Sequence, residues 1–144
     1  MAVTTAGGRL SLVRGGAAQE FTVTLRNGNT REYGKLRLGF QMEMLVDESS
    51  AGQQVAQDGF VLQRWDAASG SWRDEKLRIA NDYMPPHMYT GGSSLARDAV
   101  RTVRYRLRAL EQGPAGSTPL MVTLVDTERD AQVSYHSLPH TTRR

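Results

Sequence analysis

His87, His136 and His140 are the only imidazoles in 144 residues, and the chain has no cysteine. Nucleophilic catalysis needs a serine or threonine beside a general base that a third group holds in place. The glycine-serine cluster Gly91-Gly92-Ser93-Ser94 lacks the strand-to-helix setting of a nucleophile elbow. His136 and His140 stand four apart, a spacing that converges only on a helix, and Leu138-Pro139 between them disfavours one. Asp126, Glu128 and Asp130 alternate near a turn and offer oxygens to Ca²⁺, but without EF-hand spacing or a closing glutamate. Phosphate-cradling glycine loops of either common pattern are absent. The chemistry-bearing residues therefore point to a non-enzymatic protein with no metal site and no cofactor.

Two other groups of residues suit binding. The first is the segment Tyr83-Met84-Pro85-Pro86-His87-Met88-Tyr89. Its prolines stiffen the backbone and lower the entropy lost on association, while tyrosine and methionine are side chains that interaction surfaces favour. Tyr83, Met84, His87, Met88 and Tyr89 are accordingly candidate contacts with a partner; the alternative is that Tyr83 and Met88 plug one end of the core. The second is the row Arg104, Arg106 and Arg108, extended by Arg101. Same-face neighbours on a strand lie about 7 Å apart, so the row forms a basic stripe whose guanidinium forks suit carboxylate or phosphate. Cross-strand pairing with Glu or Asp would leave it an ordinary solvated sheet face. Trp65 and Trp72 flank one expected hairpin and offer stacking platforms for sugar rings. Another protein is the expected partner, and a glycan the alternative.

These residues need strands to hold them. Phe21 to Arg26 alternates apolar with polar and stops at Asn27-Gly28-Asn29; Leu36 to Met44 and Val103 to Arg108 alternate likewise. Period 2 of this kind marks half-buried strands. Leu10 to Val13, Phe60 to Trp65, Ser71 to Arg73, Leu77 to Ile79, Leu120 to Val125 and Val133 to Tyr135 are shorter strands by the same logic. The stretch Ala67-Ala68-Ser69-Gly70 turns the hairpin that carries the two tryptophans. Seven to nine short antiparallel strands, punctuated by Gly, Pro, Asn and Asp, predict an all-β sandwich. One domain over residues 9–135 is expected, with a flexible start over 1–8, a polar loop over 47–59 and a disordered tail over 136–144.

Phe21 to Gly28, the alternating run from Glu32 to Val46, the Leu62-to-Trp72 hairpin and the stretch from Gly91-Gly92-Ser93 to Leu107 together resemble immunoglobulin-like modules of secreted and surface actinobacterial proteins. The resemblance covers residues 8–127 and implies an immunoglobulin-like sandwich, secreted or at the cell surface, that binds or spaces other proteins as an adaptor. Leu138-Pro139-His140-Thr141 is similar to a sortase signal but has Thr142 where that motif needs glycine. Sixteen arginines against two lysines, and a formal charge of +3, fit a GC-rich coding bias. A charge this small disfavours nucleic acid as partner. No run approaches the ~20 apolar residues of a spanning helix, so membrane insertion is not expected, and no signal-peptide pattern opens the sequence.

Overall fold

The computed structural model describes residues 1–45 and 59–144, so the polar stretch over 47–58 lies outside the described residues. The strands are β1 (Ala2–Thr4), β2 (Leu10–Val13), β3 (Gln19–Arg26), β4 (Tyr33–Met42), β5 (Phe60–Asp66), β6 (Ser71–Glu75), β7 (Arg78–Ile79), β8 (Ser93–Leu95), β9 (Val100–Ala109), β10 (Gly116–Ser117), β11 (Leu120–Asp126), β12 (Ala131–Leu138) and β13 (His140–Arg143). The fold is all-β, as the alternation predicts. Among the described residues, the seven strands of five or more residues carry its frame, and the short ones trim its edges.

The first sheet has the order β1-β3-β9-β5-β6, with every neighbour antiparallel. The second runs β12-β11-β4, with β7 joining β4 in parallel and β8 joining it antiparallel. The sheets meet through side chains that the alternation turns inward. Phe21 and Tyr105 of the first sheet stack at 5.4 Å, and Phe40 of the second lies 4.8 Å from Tyr105 and 6.2 Å from Phe21. Val23, Leu62, Leu107, Val122 and Leu120 extend this buried core.

Both expected loose ends are ordered strands, which corrects the sequence reading. Val3 is buried opposite Val23, so residues 2–4 are an edge strand rather than a flexible start. Gln19 stitches the following turn: its amide nitrogen donates to Thr5 Oγ1 and the Arg9 carbonyl, and its oxygen accepts the Ser11 N–H. The tail over 136–144 is also structured. In the β11–β12 hairpin Leu120 faces Leu138, and the same register continues as Ser117 facing Thr141. Pro119 and Pro139 thus fall opposite one another. Neither has an N–H to give, so the ladder breaks there, and β13 leaves the hairpin to pair in parallel with β2. The resulting third sheet, β10-β13-β2, closes one side of the core over Leu10 and Leu12.

His140 explains why so polar a strand can be buried. Its Nδ1 lies 2.8 Å from the Thr118 carbonyl, which can only accept, so Nδ1 carries the proton; Nε2 then accepts from the Thr142 hydroxyl at 2.6 Å. The ring also stands edge-on to Phe60 at 5.7 Å. Burial, opposed by the Thr118 bond and assisted by the charges of Arg14 and Arg9, lowers its pKa. The unfolded chain therefore takes up this proton first as pH falls below about 6.5. We expect stability to decline through that window and the decline to flatten below the folded-state value. Urea unfolding between pH 7.5 and 5 measures it, and His140→Gln should remove this component of the slope.

Candidate functional site

The structure separates the two candidate groups, placing them on opposite outer faces of the sandwich. On the second sheet, residues 80–92 cross the outer face of β4. Gln41 donates to the carbonyls of Ala80 (3.1 Å) and Asp82 (2.9 Å), Arg37 to that of Thr90 (3.1 Å), and Arg78 bonds Gln41 Oε1 (2.9 Å) and the Asp82 carboxylate (2.9 Å). The Tyr89 ring lies on Gly39, so closely that a Cβ there would fall 2.4 Å from Tyr89 Cε1. A glycine inside a strand often marks such a close approach, and Gly39 was the signal in the sequence that this segment is docked. Burial raises the Tyr89 pKa.

Tyr89 and the half-buried Met84 therefore anchor the segment, while Tyr83 (70 % exposed), His87 and Met88 (57 % exposed) face outward. Pro86–Met88 forms a single 3-10 turn that packs near β12. Gly39 faces Thr123, which faces Tyr135, so Tyr135, 50 % exposed, presents its ring on this same side. Sequence reading did not include Tyr135, because β12 gives no local sign of which face it shares with the segment.

On the first sheet, Arg104 and Arg106 point outward as the alternation requires, and Arg108 is exposed two residues on. The structure unites this row with the tryptophan hairpin. Trp65 and Trp72 face each other across β5 and β6 with ring centroids 5.4 Å apart. The Arg104 guanidinium lies 5.4 Å from both rings, and that of Arg106 lies 4.4 Å from Trp72. Arg104 also pairs with Glu20 at 2.6 Å, and Arg106 Nε donates to Gln63 at 2.8 Å. Two of the three arginines are thus engaged within the sheet surface. Arg101 departs from the expectation: its odd number puts it with Val103 and Tyr105 on the inner side, where it donates to Ser93 Oγ at 2.7 Å and to the Ser94 carbonyl.

Of the acidic candidates Asp126, Glu128 and Asp130, the first has structural work. Asp126 is buried and accepts the N–H groups of Glu128 (3.1 Å) and Arg129 (3.2 Å), shaping the β11–β12 turn. Among the described residues no three His, Cys, Asp or Glu side chains gather as a metal site would require.

No protein-family model matches the sequence, and no curated protein does. Among solved structures the chain is similar to part of a family 123 glycoside hydrolase from Clostridium perfringens, a structure described for its glycolipid glycan hydrolysis. The likeness covers 94 % of this chain and 22 % of that one, with a TM-score of 0.50 and 7 % sequence identity. It is a likeness of fold, and the chain spans about a fifth of that neighbour's length.

Proposed function

We propose that this chain is a non-catalytic immunoglobulin-like binding domain, secreted or displayed at a cell surface, that docks a partner protein on the outer face of its second sheet. The observation that carries the reading is the set Tyr83, Met88 and Tyr135, exposed large side chains on one side of the molecule, two of them on a segment already fixed by Tyr89 and Gly39. A surface that is ordered before binding loses less entropy on association, and exposed aromatic and methionine side chains are the currency of interface cores.

Strand order supports the immunoglobulin-like type. The series β1-β3-β9-β5 opposite β12-β11-β4 has the two-sheet arrangement of that fold. The sequence resemblance supports an extracellular setting. His140, with both ring nitrogens committed, has no free base to offer a reaction.

A second reading, glycan binding at Trp65 and Trp72, rests on their shared face and on the kinship of fold with a glycoside hydrolase segment. Against it, arginine guanidiniums lie over these rings, where a sugar would have to stack. A panel of glycans that shifts tryptophan fluorescence would reverse the order of the two readings.

The leading reading is tested by Tyr83→Ala combined with Met88→Ala. Both side chains are exposed, so the melting temperature should stay within about 2 °C of wild type. Affinity for a protein captured from the organism's extracellular fraction should fall at least ~10-fold, the equivalent of about 1.4 kcal/mol. Equal titration by both forms, or no protein retained by the wild type, would reject it.

A further inference from the structure

Between the two main sheets, where β5, β6 and β9 face β4 and β8, lies a cleft of about 550 Å³. That volume falls within the range of small-molecule sites, roughly 300–1,000 Å³. Leu25, Leu36, Leu38, Val103 and Leu124 form apolar walls. A second space of about 280 Å³ shares Leu25, Leu36 and Leu124 with it and reaches Met1 and Val133. Together the linings follow β4 from Tyr33 to Leu38, a length suited to a chain, with Arg26, Asn29 and Ser134 as polar residues of the second space.

The polar residues of the larger space are concentrated at its other end. Arg64 faces Tyr105 in the β5–β9 ladder and lies 3.5 Å from Glu75. Arg101 lines the same cleft, bonded to the neutral Ser93 hydroxyl and the Ser94 carbonyl, and Arg37 stands at its rim, bonded to the Thr90 carbonyl. Three guanidiniums thus line a cleft that holds one carboxylate, Glu75. Tyr105 is only 3 % exposed, and its hydroxyl, which opens on the cleft, makes no hydrogen bond among the described residues. Among the described residues no side-chain nitrogen or oxygen is both buried and unpartnered, so this hydroxyl is open to the cleft, where a ligand oxygen can accept from it. Burial, with Glu75 adding to it, raises the Tyr105 pKa, so the hydroxyl is a donor at neutral pH.

We infer that this cleft binds an alkyl-chain carboxylate, a free fatty acid, with its tail along the leucine walls and its carboxylate among Tyr105, Arg64 and Arg101. The excess of guanidinium over carboxylate selects the anionic head, and the apolar length selects the chain. The site lies inside the sandwich, and it is independent of the outer face to which a protein partner is assigned.

Calorimetric titration with sodium decanoate, below the concentration at which it forms micelles, tests the inference. Saturable one-to-one binding is expected, with decan-1-ol at least tenfold weaker. Tyr105→Phe keeps the ring in the core and should weaken decanoate at least fivefold; Arg101→Gln should do the same. Val103→Trp fills the cleft and should abolish binding. Should Val103→Trp fail to fold by circular dichroism, the other two variants carry the test. Tyr83→Ala with Met88→Ala should leave decanoate binding unchanged, which separates this site from the docking face. No saturable binding, equal affinity for the alcohol, or wild-type affinity in the Tyr105 and Arg101 variants would overturn the inference.

Discussion

Deleting residues 140–144 is expected to lower the unfolding free energy by about 3–5 kcal/mol, a large share of the ~5–15 kcal/mol that holds a domain of this size. The loss has three sources. β2 forfeits the parallel partner that satisfies its backbone from Leu10 to Val13. Leu10 and Leu12, both fully buried, become open to water on that side, and burying a leucine is worth about 1.5–3 kcal/mol. The Thr118 carbonyl loses the ring nitrogen that satisfies it. Urea unfolding of the full and shortened chains measures the difference. A change under about 0.5 kcal/mol, the effect of trimming an exposed segment, would mean that β13 is not docked.

Arg14→Ala should cost about 2–4 kcal/mol, although Arg14 is only half-buried. Its guanidinium is a hub for loop backbone. Nε and Nη2 donate to the Pro114 carbonyl at 3.1 and 2.9 Å, and Nη1 reaches the carbonyls of Gly59, Leu110 (3.3 Å) and Gln112 (3.4 Å). It also lies 4.6 Å from the centre of the Phe60 ring, which in turn meets His140. Hydrogen bonds from a charged donor are worth about 1.5–3 kcal/mol each, and carbonyls that regain water return part of the loss. The fork passes so close to Gly113 that a Cβ there would fall 2.6 Å from the guanidinium carbon. Arg14→Lys should restore less than half the stability, because one ammonium cannot span the same carbonyls. Thermal unfolding of the three forms reads this directly; a lysine variant equal to wild type would show that charge alone matters.

The long strands were legible because their periodicity is strong. Phe21 to Arg26, Leu36 to Met42 and Val103 to Arg108 alternate cleanly, and each is a strand with the expected side facing in. The hairpin with Trp65 and Trp72 was equally readable from its glycine-tipped turn. Gly70 there has φ 65°, and the Asp66 carboxylate, its pKa lowered chiefly by the bond from Ser69, caps the turn. The tail was not readable. Pro139 and two histidines look like the end of structure, and the partner that orders them, β2, lies at the opposite end of the sequence. The placement of Arg101 could have been read, since parity alone assigns it to the face of Val103 rather than that of Arg104. The meeting of tryptophans with arginines could not, because it depends on which strand β5 chooses as neighbour. The cleft was likewise out of reach, since it exists only where the sheets part.

The parallel pairing of β2 with β13 also sets how the molecule carries load. Tension on the two ends reaches β13 at its C-terminal end, and β2 at its N-terminal end after the three residues of β1. The strands run the same way, so the two pulls are opposed along a common axis. The bonds joining Leu10–Val13 to His140–Arg143 are then strained together in shear, not opened one after another as in a hairpin pulled from its mouth. Forced opening is governed by the unfolding rate rather than by equilibrium stability, and four residue pairs loaded together raise the barrier that sets it. The short strand that closes the core is also the molecule's mechanical clamp.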